Sequence, residues 1–243
     1  MADTYIIGQP IEVDNYCIGR YQIPNEVNHD KSFDIARSWL HECEVSHTNC
    51  VTDALPELPT RVIDVNAYEK DVKVHTSNGE KAKYAALSHC WGGPISPMLT
   101  SNTLATFKDV LPYSDLPANF QDAITITRRL GIQYLWIDSL CIVQNSKQDW
   151  EEQSKKMGSI YRDSTITISA LASGGSKTGT LISKDKLCSL KTEPAVTTMS
   201  VTASESSLSR VVQIERLDPD EETLSYLDTS GPLAQRGWVS SYS

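Results

Sequence analysis

Ser88-His89-Cys90-Trp91-Gly92-Gly93 sets a hydroxyl, an imidazole, a thiol and an indole directly before two glycines. A thiol beside an imidazole can be activated as a nucleophile. Neighbours in a strand point to opposite faces, however, so His89 and Cys90 pair only if the strand has already ended. The functional reading is a loop that binds ligand through its backbone and glycines, and the alternative is a buried strand end. A second group, Asp138-Ser139-Leu140-Cys141 followed by Gln144, comes after the apolar run "IQYLWID". If that run is a strand, Asp138 lies at its carboxyl end, where open α/β sheets bind ligands. A carboxylate there can accept from ribose hydroxyls or orient an arginine, and it can equally cap the next turn.

A third group, Cys43, His47 and Cys50, offers three metal ligands, with Cys43 and His47 one helical turn apart. A closed zinc site needs a fourth ligand, and none stands nearby in sequence. The alternative is a cysteine and a histidine that pack a helix onto the core, and no metal is assigned.

The elements that must position these residues follow from periodicity. From Ser32 to about His47, Ile35, Trp39, Cys43 and His47 recur every four residues, which predicts an N-terminal helix docked by that stripe. Residues 1–30 read as irregular. "TRVIDV" (60–65) and "VKVHT" (72–76) predict strands, and Ser77-Asn78-Gly79 predicts a turn, giving a small antiparallel lead-in. "YAALS" opens the next strand. Pro117 starts a helix through Phe120, Ala123, Ile124, Thr127 and Leu130, with Gly131 as its stop.

"IQYLWID" (132–138) suits a strand buried on both faces of a parallel sheet. Asp149 and Glu152 fit a capping box, and Trp150, Gln153, Met157, Ile160 and Tyr161 form the next helix's inward stripe. "STITISAL" (164–171) is a third core strand. Alternating strands and helices predict an α/β fold with a parallel sheet flanked by helices. After Ala172 periodicity fades, and about 173–230 reads as a variable insertion with a few short strands. The stretch "GPLAQRGW" near the chain's end is again specified, with a Gly231-Pro232 turn before Arg236 and Trp238.

Composition narrows the function. A net charge of −9 without any Lys/Arg cluster argues against nucleic acid as a partner. The N-terminus has no basic and apolar leader pattern, and no stretch approaches the roughly 20 apolar residues of a membrane helix, so a cytoplasmic protein with no membrane partner is expected. Six cysteines are too sparse for a disulfide scaffold and are expected as thiols.

Three separated stretches, "YAALSHCWGG", "LGIQYLWIDSLCIVQNSKQDWEEQSKKMGSIYRDSTITISA" and "GPLAQRGW", together resemble the fungal heterokaryon incompatibility (HET) domain. The resemblance covers about 60–238 and implies a domain over 59–243 behind an N-terminal extension, 1–58. It implies a role in fungal non-self recognition and programmed cell death, exerted by self-association or with another incompatibility-system protein. HET domains are regarded as distant relatives of Toll/interleukin-1-receptor (TIR) domains, which implies a TIR/flavodoxin-like parallel sheet. Some TIR domains cleave NAD at the nicotinamide–ribose bond, so NAD is an implied substrate and no other cofactor is. Ser88 to Gly93, Asp138, Ser139, Cys141, Gln144, Arg236 and Trp238 are then the ligand-binding candidates.

The same resemblance expects a catalytic Glu four residues after Trp238, where this chain has Tyr242. A phenol with an ordinary pKa of about 10 is neutral at pH 7 and cannot oppose developing positive charge. The expectation is therefore an interrupted last motif, an incomplete C-terminal sheet edge, and no NAD cleavage by this chain.

Overall fold

The structure is a computed structural model that describes residues 4–7, 11–13, 16–18, 27–47, 55–170, 173–181, 196–202 and 209–216. The chain begins with three short strands, β1 (Thr4–Ile7), β2 (Ile11–Val13) and β3 (Tyr16–Ile18), followed by helix α1 (Asp30–Ser46). Strands β4 (Arg61–Asp64), β5 (Lys73–Thr76) and β6 (Tyr84–Ser88) come next, and then α2 (Leu104–Asp109) and a 3-10 turn at Tyr113–Asp115. Helix α3 (Ala118–Arg129), strand β7 (Tyr134–Trp136), the short α4 (Asp138–Cys141), helix α5 (Lys147–Arg162) and strand β8 (Ile166–Ser169) complete the alternation. Two longer strands, β9 (Val196–Thr202) and β10 (Ser209–Arg216), follow. Among the described residues no helix is long and apolar enough to cross a membrane.

These elements fall into two compact units. In the smaller, β1, β10 and β9 form an antiparallel sheet in that order, with Ile6 opposite Ile214 and Val212 opposite Met199. Strands β2 and β3 make a separate antiparallel pair. The N-terminal stretch read as irregular thus contains strands: β1 finds its partner some two hundred residues further along the chain, beyond the reach of local periodicity, while β2 and β3 pair locally in runs of only three residues.

The larger unit, from Phe33 to Leu181, is built on a five-stranded mixed sheet in the order β5-β4-β7-β6-β8, flanked by helices. Its centre, β7-β6-β8, is parallel, and this is the expected α/β core. All five residues of β6 are buried, as a central parallel strand requires. Val62, Ile63, Leu135 and Ile137 are fully buried around it. The predicted antiparallel lead-in is present and belongs to this sheet: β4 runs antiparallel to both β5 and β7.

Asn78 (φ 49°) and Gly79 (φ 84°) form a two-residue turn closed by the Glu80 N–H to Ser77 O bond of 3.0 Å. Two successive positive φ angles define the type I′ geometry that Asn-Gly favours. The chain then returns beside residues 56–58, through Leu58 N–H to Glu80 O (2.8 Å) and Ala82 N–H to Pro56 O (3.1 Å), before entering β6.

Two local expectations are corrected. Helix α1 forms where its spacing predicts, but Trp39 is 61% exposed, and the buried residue is Phe33, beneath the Arg129 guanidinium at 4.3 Å. Helix α5 begins one turn's logic earlier than the Asp149–Glu152 box implies. Ser146 is its N-cap and accepts from the Asp149 N–H. The Asp149 carboxylate is engaged elsewhere, by Arg61 Nη2 (2.7 and 2.5 Å) and by the Val143 N–H (2.7 Å). Trp150, assigned to the inward stripe, is 55% exposed, while Gln153 and Ile160 on that stripe are buried.

Candidate functional site at the strand ends

The parallel strands run β7-β6-β8, second-first-third in chain order, so the direction of chain progression reverses at β6. Open α/β sheets place ligands outside the carboxyl ends of their strands at such a reversal. Those ends carry Ser88 to Gly93 after β6, Ile137 and Asp138 after β7, and Ala170 after β8. The Ala170 N–H bonds to Ser88 O at 2.9 Å, which continues the ladder to the edge of the site.

The two groups singled out in the sequence meet here. Trp91 Nε1 donates to Asp138 Oδ2 at 2.9 Å. His89 Nε2 lies 3.9 Å from Asp138 Oδ1, too long for a hydrogen bond but close enough for a charge on either to be felt. Asp138 Oδ1 also accepts the Ser139 N–H at 2.7 Å, so the carboxylate orders the first turn of α4. The carboxylate thus bonds the turn that follows β7, as the capping alternative has it, and Trp91 takes its second oxygen. His89 is buried and meets the edge of Phe120, with ring centroids 5.1 Å apart.

The remaining candidates divide. Cys141 is buried, and burial pushes its thiol up to about 12, so it is a protonated packing group at neutral pH rather than a nucleophile. The Gln144 amide donates to Asp138 O (3.1 Å) and Ile142 O (2.9 Å), where it secures the turn after α4. Ser88 and Cys90 are buried, and Ser139 is fully buried. Gly92 has φ 68° and packs so closely that a Cβ there would lie 2.5 Å from Gly175 Cα. Gly93 has φ 126° and faces open space. Arg236, Trp238 and Tyr242 lie outside the described residues, as does Cys50. Among the described residues no three His, Cys, Asp or Glu side chains converge as a metal site; Cys43 lies on α1 and His47 directly after its last residue.

Sequence reading missed the segment that completes the site. Residues 173–181, "SGGSKTGTL", taken as the start of an insertion, belong to the larger unit. Ser176 donates from both N–H (3.2 Å) and Oγ (3.1 Å) to Trp91 O, and its own carbonyl accepts the Asn119 N–H at 3.2 Å. The buried Ser173 Oγ lies 2.7 Å from Gly175 O and 2.8 Å from Thr178 O. The signal was the second Gly-Gly pair, Gly174-Gly175, which lets two backbones touch at Gly92. Asn119, fully buried on the first turn of α3, gave no signal in the sequence. A groove of about 380 Å³ elsewhere on the unit, lined by Glu57, Thr60, Ser77, Tyr84, Lys156 and Asp163 among others, includes none of these residues.

No curated protein and no solved structure matches the chain significantly. A family model does: residues 84–241, more than half of the chain, match that of the heterokaryon incompatibility protein (HET). The match starts at the first residue of β6 and takes in every strand end of the site. The chain is a member of the heterokaryon incompatibility (HET) family.

Proposed function

We propose that this protein is a cell-death effector of fungal non-self recognition, acting in the cytoplasm through self-association or contact with another incompatibility-system protein. The observation that carries this reading is the HET match over residues 84–241. Consistent with an interaction module, the strand-end cluster is closed: His89, Ser139 and Asn119 are buried, and Asp138 is engaged by Trp91 and the Ser139 N–H.

The test is inducible expression of the full chain in a fungal host, with growth and cellular NAD followed together. Growth arrest at unchanged NAD is the expected result. Normal growth at verified protein levels overturns it.

A second reading, cleavage of NAD, draws on the Asp138 carboxylate at the chain reversal, where doubly wound sheets take nucleotides. In it Asp138 would hold a ribose hydroxyl and the loop 88–93 would bound the pocket. Tyr242 stands in place of the glutamate that the TIR reaction uses, and a neutral phenol gives no stabilisation to an oxocarbenium-like centre. Growth arrest accompanied by falling NAD would favour this second reading over the first.

A further inference from the structure

We infer that residues 173–181 form a latched strap that holds the strand-end cluster shut, and that Asp122 is the latch. Asp122 Oδ2 accepts two successive backbone N–H groups, Thr180 at 2.6 Å and Leu181 at 2.9 Å. Gly179 approaches so closely that a Cβ there would lie 2.7 Å from the same oxygen. One carboxylate on α3 therefore fixes the far end of the segment. The near end is tied by Ser176 to the Trp91 carbonyl and to the Asn119 N–H, and by Gly175 against Gly92.

Every one of these ties is a hydrogen bond or a glycine contact. Residues 173–180 contain no apolar side chain, and the two buried residues among them are small serines. Leu181, half-buried at the far end, is the strap's one apolar residue, so the segment gains little from the hydrophobic effect and belongs to the part of a fold that opens first. Its charge-assisted ties are the strong ones, and both converge on Asp122.

What lies around the strap argues that the closed state is not the only one the sequence provides for. Asn119 is fully buried, yet neither polar atom of its side chain has a hydrogen-bond partner among the described residues. The Ser139 hydroxyl is in the same condition, and so is Thr180 Oγ1 within the strap itself. Buried polar groups are ordinarily paired, and three that are not, on the strap, on the α3 helix that latches it and on α4 beside Asp138, require an explanation. Lifting the strap frees the Trp91 carbonyl, the Asn119 N–H and the Asp122 carboxylate, and opens the Asn119 turn and the Trp91 loop, whose indole rests on Asp138, to a polar ligand that both donates and accepts.

The closing experiment uses the full chain with Asp122→Ala and Asp122→Asn. Lys177 is exposed at the centre of the strap, so trypsin reports its opening, with the cut at Lys177 identified by fragment mass. When reclosing outpaces cleavage, the rate follows the open population, and losing both charge-assisted bonds should raise cleavage at Lys177 by about tenfold or more. Asp122→Asn keeps an acceptor without its charge and should fall between. Hydrogen exchange at the Thr180 and Leu181 amides should accelerate in the same order, with the melting temperature of the larger unit nearly unchanged. Unaltered cleavage and exchange overturn the strap, as does acceleration that merely tracks global melting.

The regulatory consequence rests on the proposed effector role. Asp122→Ala should arrest growth at a lower protein level than the wild type, and equal potency with a demonstrably open strap overturns autoinhibition. If neither protein arrests growth, the effector role itself fails, and the protease result still decides the strap.

Discussion

Gly92 is required twice over. Its φ of 68° lies in the left-handed region that side chains with a Cβ seldom adopt, and an added Cβ would sit 2.5 Å from Gly175 Cα and 2.8 Å from Gly174 O. Both obstacles are backbone atoms, which cannot rotate aside. Gly79 separates the two effects, because its φ is 84° but nothing stands within 4 Å of the added carbon. Gly79→Ala should therefore cost only the backbone term, about 1 kcal/mol. Gly92→Ala adds a collision and should cost about 2–4 kcal/mol. Urea unfolding of the two variants checks the ordering, and equal costs would mean that the 92–175 contact yields without strain. Sequence reading took Ser88 to Gly93 as a loop that binds ligand through its backbone and glycines, or else as a buried strand end; at Gly92 the close approach is to another stretch of the chain. Asp138 was likewise placed at the correct strand end, but its partner Trp91 lies 47 residues away and becomes visible only once β6 and β7 pair.

At the scale of elements, local pattern was informative where local chemistry decides. The strands β4 to β8, helix α3 between Pro117 and Gly131, and the Asn78-Gly79 turn all follow from residue type and spacing. The start of α5 was misread because two serviceable caps overlap: Ser146 with Asp149 at the third position, and Asp149 with Glu152. The deciding residue is Arg61, 88 positions away from Asp149, which engages the carboxylate and leaves Ser146 to receive the Asp149 N–H at 3.2 Å. Ser146→Ala should then lower stability by about 1 kcal/mol, and Ser146→Asp, which keeps an accepting oxygen and favours the helix N-terminus, should lose little. Thermal unfolding of both variants tests the assignment, which fails if alanine is as stable as aspartate. Periodicity also found α1 but not its docking face, since a spacing of four identifies a stripe without saying what covers it. Phe33 and Arg37, which reaches the Arg129 carbonyl at 2.6 Å, make the contact instead. In the β1-β10-β9 sheet, strands were expected within 173–230, where β9 and β10 pair as sequence neighbours, but β1 was illegible because its partner lies at the other end of the chain.

For the larger unit as a whole, alkaline pH is the informative stress. Burial pushes the Cys141 thiol from its ordinary 9.0 up to about 12. Tyr84 on β6 is shifted upward from 10.0, chiefly by burial and then by Asp163, and its hydroxyl donates to Ile160 O at 2.7 Å. Tyr134 on β7 moves the same way, again mainly through burial. An acid whose pKa rises on folding stays protonated in the fold while the unfolded chain ionises. Its contribution to stability is therefore complete below the unfolded value and is lost as pH climbs towards the folded value. For Cys141 that window opens near pH 9 and closes near 12, with a slope of about 1.4 kcal/mol per pH unit for a fully buried group. The phenols join only above about pH 10. Stability measured by urea midpoint should thus be insensitive to these groups below pH 9, begin to fall there, and steepen above 10. Cys141→Ser replaces the thiol with a hydroxyl that does not ionise in this range, so it should remove the portion that begins at pH 9 and keep the later one. Superimposable pH profiles for the wild type and Cys141→Ser would show that the buried thiol does not set the onset. A difference confined to pH 9–12 would place that onset on a residue three positions beyond Asp138, which ties the unit's alkaline limit to the packing directly beneath its candidate site.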